Sequence, residues 1–167
     1  MGRSLPLRAR RPLPDAVAAV DALARACGFG AADLAALVDA HPGSRGLVRV
    51  RRVVALMDPR AESLPESRLR VGLTLRGVPP PIPQYPVVLP SGKDARLDLA
   101  WPRPAPGRPP FALEYDGPDH RTPVRHGLDL ERDSGLDDLG WDVVHVTGRQ
   151  MADLDALAAR VRRGIGL

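Results

Sequence analysis

Cysteine is almost absent from this chain, which contains Cys27 and no other. One cysteine cannot form a disulfide within the chain, and it cannot supply a cysteine-cluster zinc site. Cys27 lies among alanines in an apolar helical stretch, so we expect its side chain to be buried in the core.

Long apolar runs are absent as well. No stretch of about 18 apolar residues occurs, which excludes an ordinary transmembrane helix. The first residues lack the apolar stretch of a secretory signal. We therefore expect a cytoplasmic protein that does not associate with membranes. Its 167 residues suffice for one well-buried core and a small appendage.

Lysine is nearly absent too. Of the 24 basic residues only Lys93 is a lysine, and the formal net charge is +4. Guanidinium groups match phosphate oxygens well, so an arginine-rich basic chain favours a nucleic-acid partner. A genome rich in G and C produces the same composition, so the charge alone is mild support. The arginine face of a predicted helix (Arg45, Arg49 and Arg52) is either solvated or binds phosphate.

Apolar periodicity and turn residues predict an α/β fold. The predicted elements are helices at 14–26, 31–40, 44–57 and 65–76, strands at 83–89, 95–101 and 111–116, a helix at 123–138, a strand at 141–147 and a helix at 151–163. This order predicts a mixed β-sheet flanked by helices, preceded by a small helical N-terminal region. We place the helical region at 1–58 and the sheet domain at 59–167.

Acidic residues between positions 96 and 120 carry most of the chemical information. Asp98 lies on the second predicted strand, and Glu114 and Asp116 lie on the third. Alternate residues of a strand share a side, and the nine-residue connection 102–110 lets the two strands pair. Carboxylates that converge repel one another unless a cation lies among them. Their oxygens and the Tyr115 carbonyl are hard ligands, so the pattern predicts a site for Mg²⁺ or Mn²⁺.

Several of these residues have a second interpretation. Asp98 can form an ion pair with Arg96 or Arg132 instead of binding a metal. Glu66 follows Ser63 at the spacing of a helix capping box, and the alternative is a contact with the metal or with its ligands.

Arg132 and the histidines also leave alternatives open. Arg132 either pairs with Asp133 on the helix surface, or faces the cleft and orients Glu114 or neutralises a phosphate. His120 follows the acidic strand in a loop, where it can act as a base or a phosphate ligand, or simply be exposed. We expect His145, inside the last strand, to be a satisfied residue of the sheet.

Four ordered blocks resemble a known family. They are Pro65 to Arg70 with Leu73 and Gly77, then Asp98, then Glu114 to Gly117 with His120, then Glu131-Arg132-Asp133 with Leu139 to Val144. Together they resemble the PD-(D/E)xK nuclease superfamily, and more closely its branch of very short patch repair endonucleases and DUF559-type domains. The resemblance covers roughly residues 60 to 165.

This resemblance implies a restriction-endonuclease-like core and a metal-dependent DNA endonuclease. It implies metal ligands at Asp98, Glu114 and Asp116, catalytic roles also for His120 and Glu66, and nucleic-acid contacts from Arg121, Arg125 and Arg132. One such site in a monomer would nick one strand, whereas a double-strand break would need a dimer. The chain departs from the family because Asp116 stands where a lysine is usual. A non-catalytic DNA-binding or regulatory module, related to toxin–antitoxin regulators, is therefore the alternative.

Overall fold

The computed structural model describes residues 11–117 and 123–167, without the side chains of residues 123–129. The described chain forms, in order, α1 (Leu13–Cys27), α2 (Ala31–Asp39), α3 (Leu47–Leu56), α4 (Leu64–Thr74), β1 (Ile82–Val88), β2 (Asp94–Trp101), β3 (Phe111–Asp116), α5 (Pro123–Asp138), β4 (Asp142–Thr147) and α6 (Leu154–Ile165). A short 3₁₀ turn, Gln150–Ala152, precedes α6. The predicted α/β fold with an N-terminal helical region is confirmed.

Four strands form one mixed sheet in the order β1-β2-β3-β4. The first three strands are antiparallel neighbours, and β4 runs parallel to β3. A parallel neighbour requires a crossover connection, which α5 provides. The register places Glu114 of β3 beside His145 of β4.

Helices cover both faces of the sheet. On one face, Leu69 and Leu73 of α4 and Leu157 and Val161 of α6 pack against the inward residues of β2, β3 and β4. On the other face, Leu136 of α5 packs with a smaller apolar cluster. Within the described residues α5 is the helix that packs on this second face, and Arg132 of α5 reaches Glu114 of β3.

The N-terminal helices pack directly on the sheet domain. A third apolar cluster joins Val17 of α1 and Val53 of α3 to Val71 of α4. A buried ion pair crosses the same junction, with Arg70 Nη2 lying 2.8 Å from Oδ2 of Asp21. The regions predicted at 1–58 and 59–167 therefore share α4 as a common packing surface.

Two expectations are corrected in the N-terminal region. Cys27 is exposed rather than buried, because the buried face of α1 runs through Val17, Asp21 and Ala24 and the helix ends at Cys27. The third helix begins at Leu47 rather than at residue 44, because the chain turns through Gly46, whose φ is 86°. Along the described ranges, no helix combines the length and the apolarity needed to cross a membrane.

Candidate active site

Strand β2 changes its side-chain alternation at Asp98. Leu97 packs with the α5-face cluster, whereas Leu99 packs with the cluster under α4 and α6. Residues two apart in a regular strand would lie on the same face. The β2–β3 pairing ends at Leu99 and Leu113, and the Tyr115 N–H donates to Oδ2 of Asp98 at 2.9 Å. The Asp98 carboxylate therefore lies between two strands at the point where they separate.

Gln84 connects Asp98 to a second carboxylate. Its Nε2 donates to Oδ1 of Asp98 at 3.2 Å and to Oε2 of Glu66 at 2.9 Å. Gln84 has a φ of 51°, unusual for a residue other than glycine. Such backbone strain persists where surrounding contacts hold it, and it concentrates at functional sites. The two side-chain hydrogen bonds supply such contacts here.

Burial and neighbouring charge make Asp98 hard to ionise. Burial is the main cause, and the negative charges of Glu66 and Glu114 add to it. The hydrogen bonds from Tyr115 and Gln84 act in the opposite direction. The balance raises the pKa of Asp98 from 3.8 to about 6. A positive ion placed beside this carboxylate would relieve the repulsion.

The capping-box interpretation of Glu66 is confirmed only in its first half, and its contact with a metal stays a prediction. The Ser63 hydroxyl caps α4 by accepting from the Glu66 N–H at 3.2 Å. The Glu66 carboxylate does not return to Ser63 to complete a capping box. It accepts from the Glu62 N–H at 2.9 Å and from Gln84 instead. Glu66 thereby joins Glu114 as a second carboxylate that acts on Asp98.

Arg132 of α5 holds the Glu114 carboxylate from the α5 face. Its Nη1 donates to Oε2 of Glu114 at 2.7 Å, and its Nη2 donates to Oε1 of Glu114 and to the Arg96 carbonyl. Asp133 lies further away, at 3.8 Å from Nη1. Burial opposes the charge of Arg132, but the bond to Glu114 and the negative charges of Glu114, Asp133 and Asp98 together raise the pKa of the guanidinium. Of the two roles open for Arg132, the structure shows the contact with Glu114.

A groove of about 410 Å³ opens next to Asp98, and its lining includes Gln84, Lys93, Arg96, Glu131 and Arg132. Lys93 pairs with Glu131 at 2.8 Å and Arg96 pairs with Glu62 at 2.6 Å, all with exposed side chains. Exposed pairs contribute little to stability and exchange readily with other ions. The groove thus brings together three basic side chains and the four carboxylates of Glu62, Asp94, Asp98 and Glu131.

Asp116 has a different partner from the one expected. It lies at the exposed end of β3, where its Oδ1 is 3.2 Å from Nδ1 of His145. Nε2 of His145 is 3.7 Å from Oδ2 of Asp133. Burial disfavours the imidazolium, yet the bond to Asp116 and the charges of Asp116, Asp133 and Glu114 raise the pKa of His145. His145 is therefore part of the acidic region instead of being only a residue of the sheet.

The predicted trio Asp98, Glu114 and Asp116 does not form a single cluster in this arrangement. Among the side chains that the structure describes, no three or more His, Cys, Asp or Glu residues are grouped as metal ligands. The donor chemistry of Asp98 and Glu114 still fits Mg²⁺, which retains several waters and uses one or two protein carboxylates. Both groups offer only oxygen, and burial together with the negative charges of Glu66 and Glu114 raises the pKa of Asp98.

Three predicted residues are not available for comparison. His120 and Arg121 lie outside the described residues, and Arg125 lies on α5 where the side chain is not described. Their predicted roles in catalysis and in nucleic-acid contact therefore stay predictions.

Sequence reasoning missed three members of this region. Gln84 had a usable signal, because counting back from the Ser91-Gly92 turn places it opposite Asp98 in the β1–β2 register. Lys93 lies only one residue after that turn, yet its position in the groove depends on the ion pair with Glu131 of α5. His145 had no local signal, because its position beside Glu114 depends on the parallel register of β3 and β4.

Comparisons with known proteins give relatives without a stated activity. No protein-family model and no solved structure matches the chain. Two curated proteins from Mycobacterium tuberculosis do match: Uncharacterized protein MT2308 of strain CDC 1551 / Oshkosh, and Uncharacterized protein Rv2248 of strain ATCC 25618 / H37Rv. Each is 32% identical over 152 residues, which cover 90% of this chain and 54% of the relative. The chain therefore spans about half the length of the curated relatives that it matches.

Proposed function

We propose that this chain is a divalent-metal-dependent DNA endonuclease that hydrolyses phosphodiester bonds. The observation that carries the proposal is the half-buried Asp98, whose pKa is raised to about 6 by burial and by Glu66 and Glu114. Functional sites commonly hold groups with such shifted pKa values in a cleft. Resemblance of the ordered acidic blocks to the PD-(D/E)xK superfamily points to the same chemistry.

Asp98 and Glu114 would hold the ion, which is Mg²⁺ or Mn²⁺. When bound, a divalent cation supplies Lewis-acid stabilisation of the charge that develops on the phosphate. Gln84 keeps the Asp98 and Glu66 carboxylates in position through its two hydrogen bonds. His145, held between Asp116 and Asp133, is the histidine nearest to the ligands in the described structure, and it is a candidate to hold or move a proton.

Three basic side chains in the groove support a nucleic-acid substrate. Lys93, Arg96 and Arg132 line the groove beside Asp98, and Lys93 and Arg96 pair there with Glu131 and Glu62. Phosphate oxygens can replace the carboxylate oxygens that these residues now contact, because both kinds of oxygen accept charge-assisted hydrogen bonds from Lys and Arg. An uncharged sugar or peptide substrate would make no comparable use of three cations.

A non-catalytic DNA-binding module is the second candidate. It is favoured by one observation, the bond of Arg132 to both oxygens of Glu114. A guanidinium in this position neutralises the acid without any metal. The missing lysine after Glu114 favours the same alternative.

Nicking of supercoiled plasmid with Mg²⁺ or Mn²⁺ tests the proposal. The wild type should convert the plasmid to open circles. Asp98→Asn should lose roughly 100-fold or more in rate, because the Lewis-acid contribution amounts to several kcal/mol. Asp138→Asn, which removes an exposed carboxylate at the end of α5 and outside the groove lining, should nick like the wild type.

Two outcomes contradict the endonuclease. The first is a wild type that nicks no DNA with either ion, and the second is an Asp98→Asn variant that nicks at the full rate. A wild type that binds DNA in a strongly salt-dependent way but never nicks it would support the binding module, because phosphate contacts release counterions.

A further inference from the structure

The ion pair between Arg132 and Glu114 is the most enclosed charge pair at the site. Only 12% of the Glu114 side chain and 24% of the Arg132 side chain are exposed. The guanidinium also donates to the Arg96 carbonyl at 2.9 Å. Three acceptor atoms therefore fix one cation against one face of Glu114.

Glu114 is also one of the two proposed metal ligands. The guanidinium engages both of its oxygens, so a divalent cation on this carboxylate would lie next to a fixed positive charge. Like charges at such short range, in a partly buried place, repel strongly. A metal ion and the guanidinium thus compete for Glu114.

Arg132 has a second place to go. Its side chain already lines the groove that Lys93, Arg96 and Asp98 share. A phosphate in that groove would accept the same two parallel N–H donors that the carboxylate accepts now, because the guanidinium fork fits both anions.

We propose that Arg132 is an exchangeable internal cation. It holds Glu114 while no metal is bound, and it transfers to a phosphate of the nucleic-acid substrate when a divalent cation takes Glu114 and Asp98. This inference rests on the proposed metal-dependent function. It explains how one site accommodates a metal-ligand carboxylate and a guanidinium on the same two oxygens.

A fixed positioning role for Arg132 predicts the opposite sign. If the guanidinium only orients Glu114 for the metal, its removal should weaken metal binding, as happens when the hydrogen-bond partners of metal ligands are removed. If Arg132 competes with the metal, its removal should strengthen metal binding. The sign of the change in metal affinity distinguishes the two roles.

Titration calorimetry with Mn²⁺ alone measures this sign. We expect Arg132→Gln to lower the Mn²⁺ dissociation constant by about 10-fold or more, the scale of one lost charge-assisted hydrogen bond. Arg132→Lys keeps a cation but loses the two-pronged grip, so it should give a smaller decrease and shows that the effect does not come from misfolding. Arg96→Gln removes a guanidinium from the same groove that bonds Glu62 and not Glu114, so it serves as the matched control.

Each calorimetric result is decisive. Weaker Mn²⁺ binding by Arg132→Gln would overturn the exchange in favour of fixed positioning. An equal gain in Arg96→Gln would also overturn it, because the effect would then reflect net charge alone. Absence of Mn²⁺ binding in the wild type and in every variant would refute the proposed metal-dependent function itself.

Binding of a short fluorescent DNA duplex tests the second half of the exchange. Mn²⁺ should tighten duplex binding by the wild type several-fold, since it frees Arg132 for a phosphate, and the duplex is checked for integrity on a gel. In Arg132→Gln this coupling between metal and DNA should largely disappear. Undiminished coupling in the variant would overturn the transfer of Arg132 to phosphate.

Discussion

Replacing Asp98 by asparagine should stabilise the folded protein at neutral pH while removing a proposed metal ligand. Asparagine has the size of aspartate and retains an oxygen that can accept from the Tyr115 N–H. The Gln84 amide can rotate to accept from the new side-chain amide, at the loss of its bond to Glu66. The main change is therefore removal of one half-buried negative charge.

The sign and size of the effect follow from the pKa of Asp98. Folding raises this pKa from 3.8 to about 6, so between these pH values the folded state binds a proton more readily than the unfolded state. The contribution of protonated Asp98 to the stability of the folded state is fully present below pH 3.8, the pKa in the unfolded chain. It is lost as the pH rises through about 6, the pKa in the folded state. A shift of about two units corresponds to roughly 3 kcal/mol at most. Between about pH 4 and pH 7.5 the free energy of unfolding of the wild type should therefore fall by about 2 kcal/mol relative to that of Asp98→Asn.

Urea unfolding in metal-free buffer measures this difference, with fluorescence of the buried Trp101 as the signal. The free energies of unfolding should diverge as the pH rises, with Asp98→Asn the more stable protein at neutral pH. Glu131→Gln removes an exposed carboxylate that pairs with Lys93, and it should change stability little. Parallel curves for the wild type and Asp98→Asn across this pH range would refute the reasoning.

Two further substitutions test the packing that supports the site. In thermal unfolding, Gly164→Ala should lower the free energy of unfolding by about 1–3 kcal/mol, because the added Cβ would clash with the ring of the buried Phe111. Gly43→Ala is the control, because nothing lies within 4 Å of its Cβ position. Arg70→Ala should cost about 3–5 kcal/mol in urea unfolding, because it leaves the Asp21 carboxylate buried without its cation. A loss under about 1 kcal/mol would show that the pair is not tightly coupled to folding.

The helices and strands were largely predictable from local patterns. Strand β3 occupies Phe111–Asp116, as its apolar run followed by acidic residues predicted, and α5 occupies Pro123–Asp138. Proline, glycine and apolar periodicity act within a few residues, so the sequence alone carries this information. The error at Cys27 is of another kind, because burial depends on whether another element covers the end of α1.

Within the site, the sequence indicated Asp98, Glu114 and Glu66, but not how they are held. The spacing of β2 and β3 predicted that Asp98 lies near Glu114, and the hydrogen bond from the Tyr115 N–H to Asp98 agrees with that prediction. The sequence left open whether Glu66 caps α4 or faces the acidic site, and its link to Asp98 depends on Gln84, which the sequence did not indicate. Asp116 contacts His145 instead of joining Asp98.

Residue chemistry and local structure were thus determined by the sequence itself: an acidic strand end, a basic surface and a helix that connects two strands. Only the tertiary structure decided which charges meet. Arg132 reaches Glu114 because α5 packs on that face of the sheet, and His145 reaches Asp116 because β4 pairs with β3 in one parallel register. The first contact joins residues 18 positions apart in the chain, and the second joins residues 29 positions apart. Long-range packing selects such pairs, and no pattern within a single helix or strand contains that information.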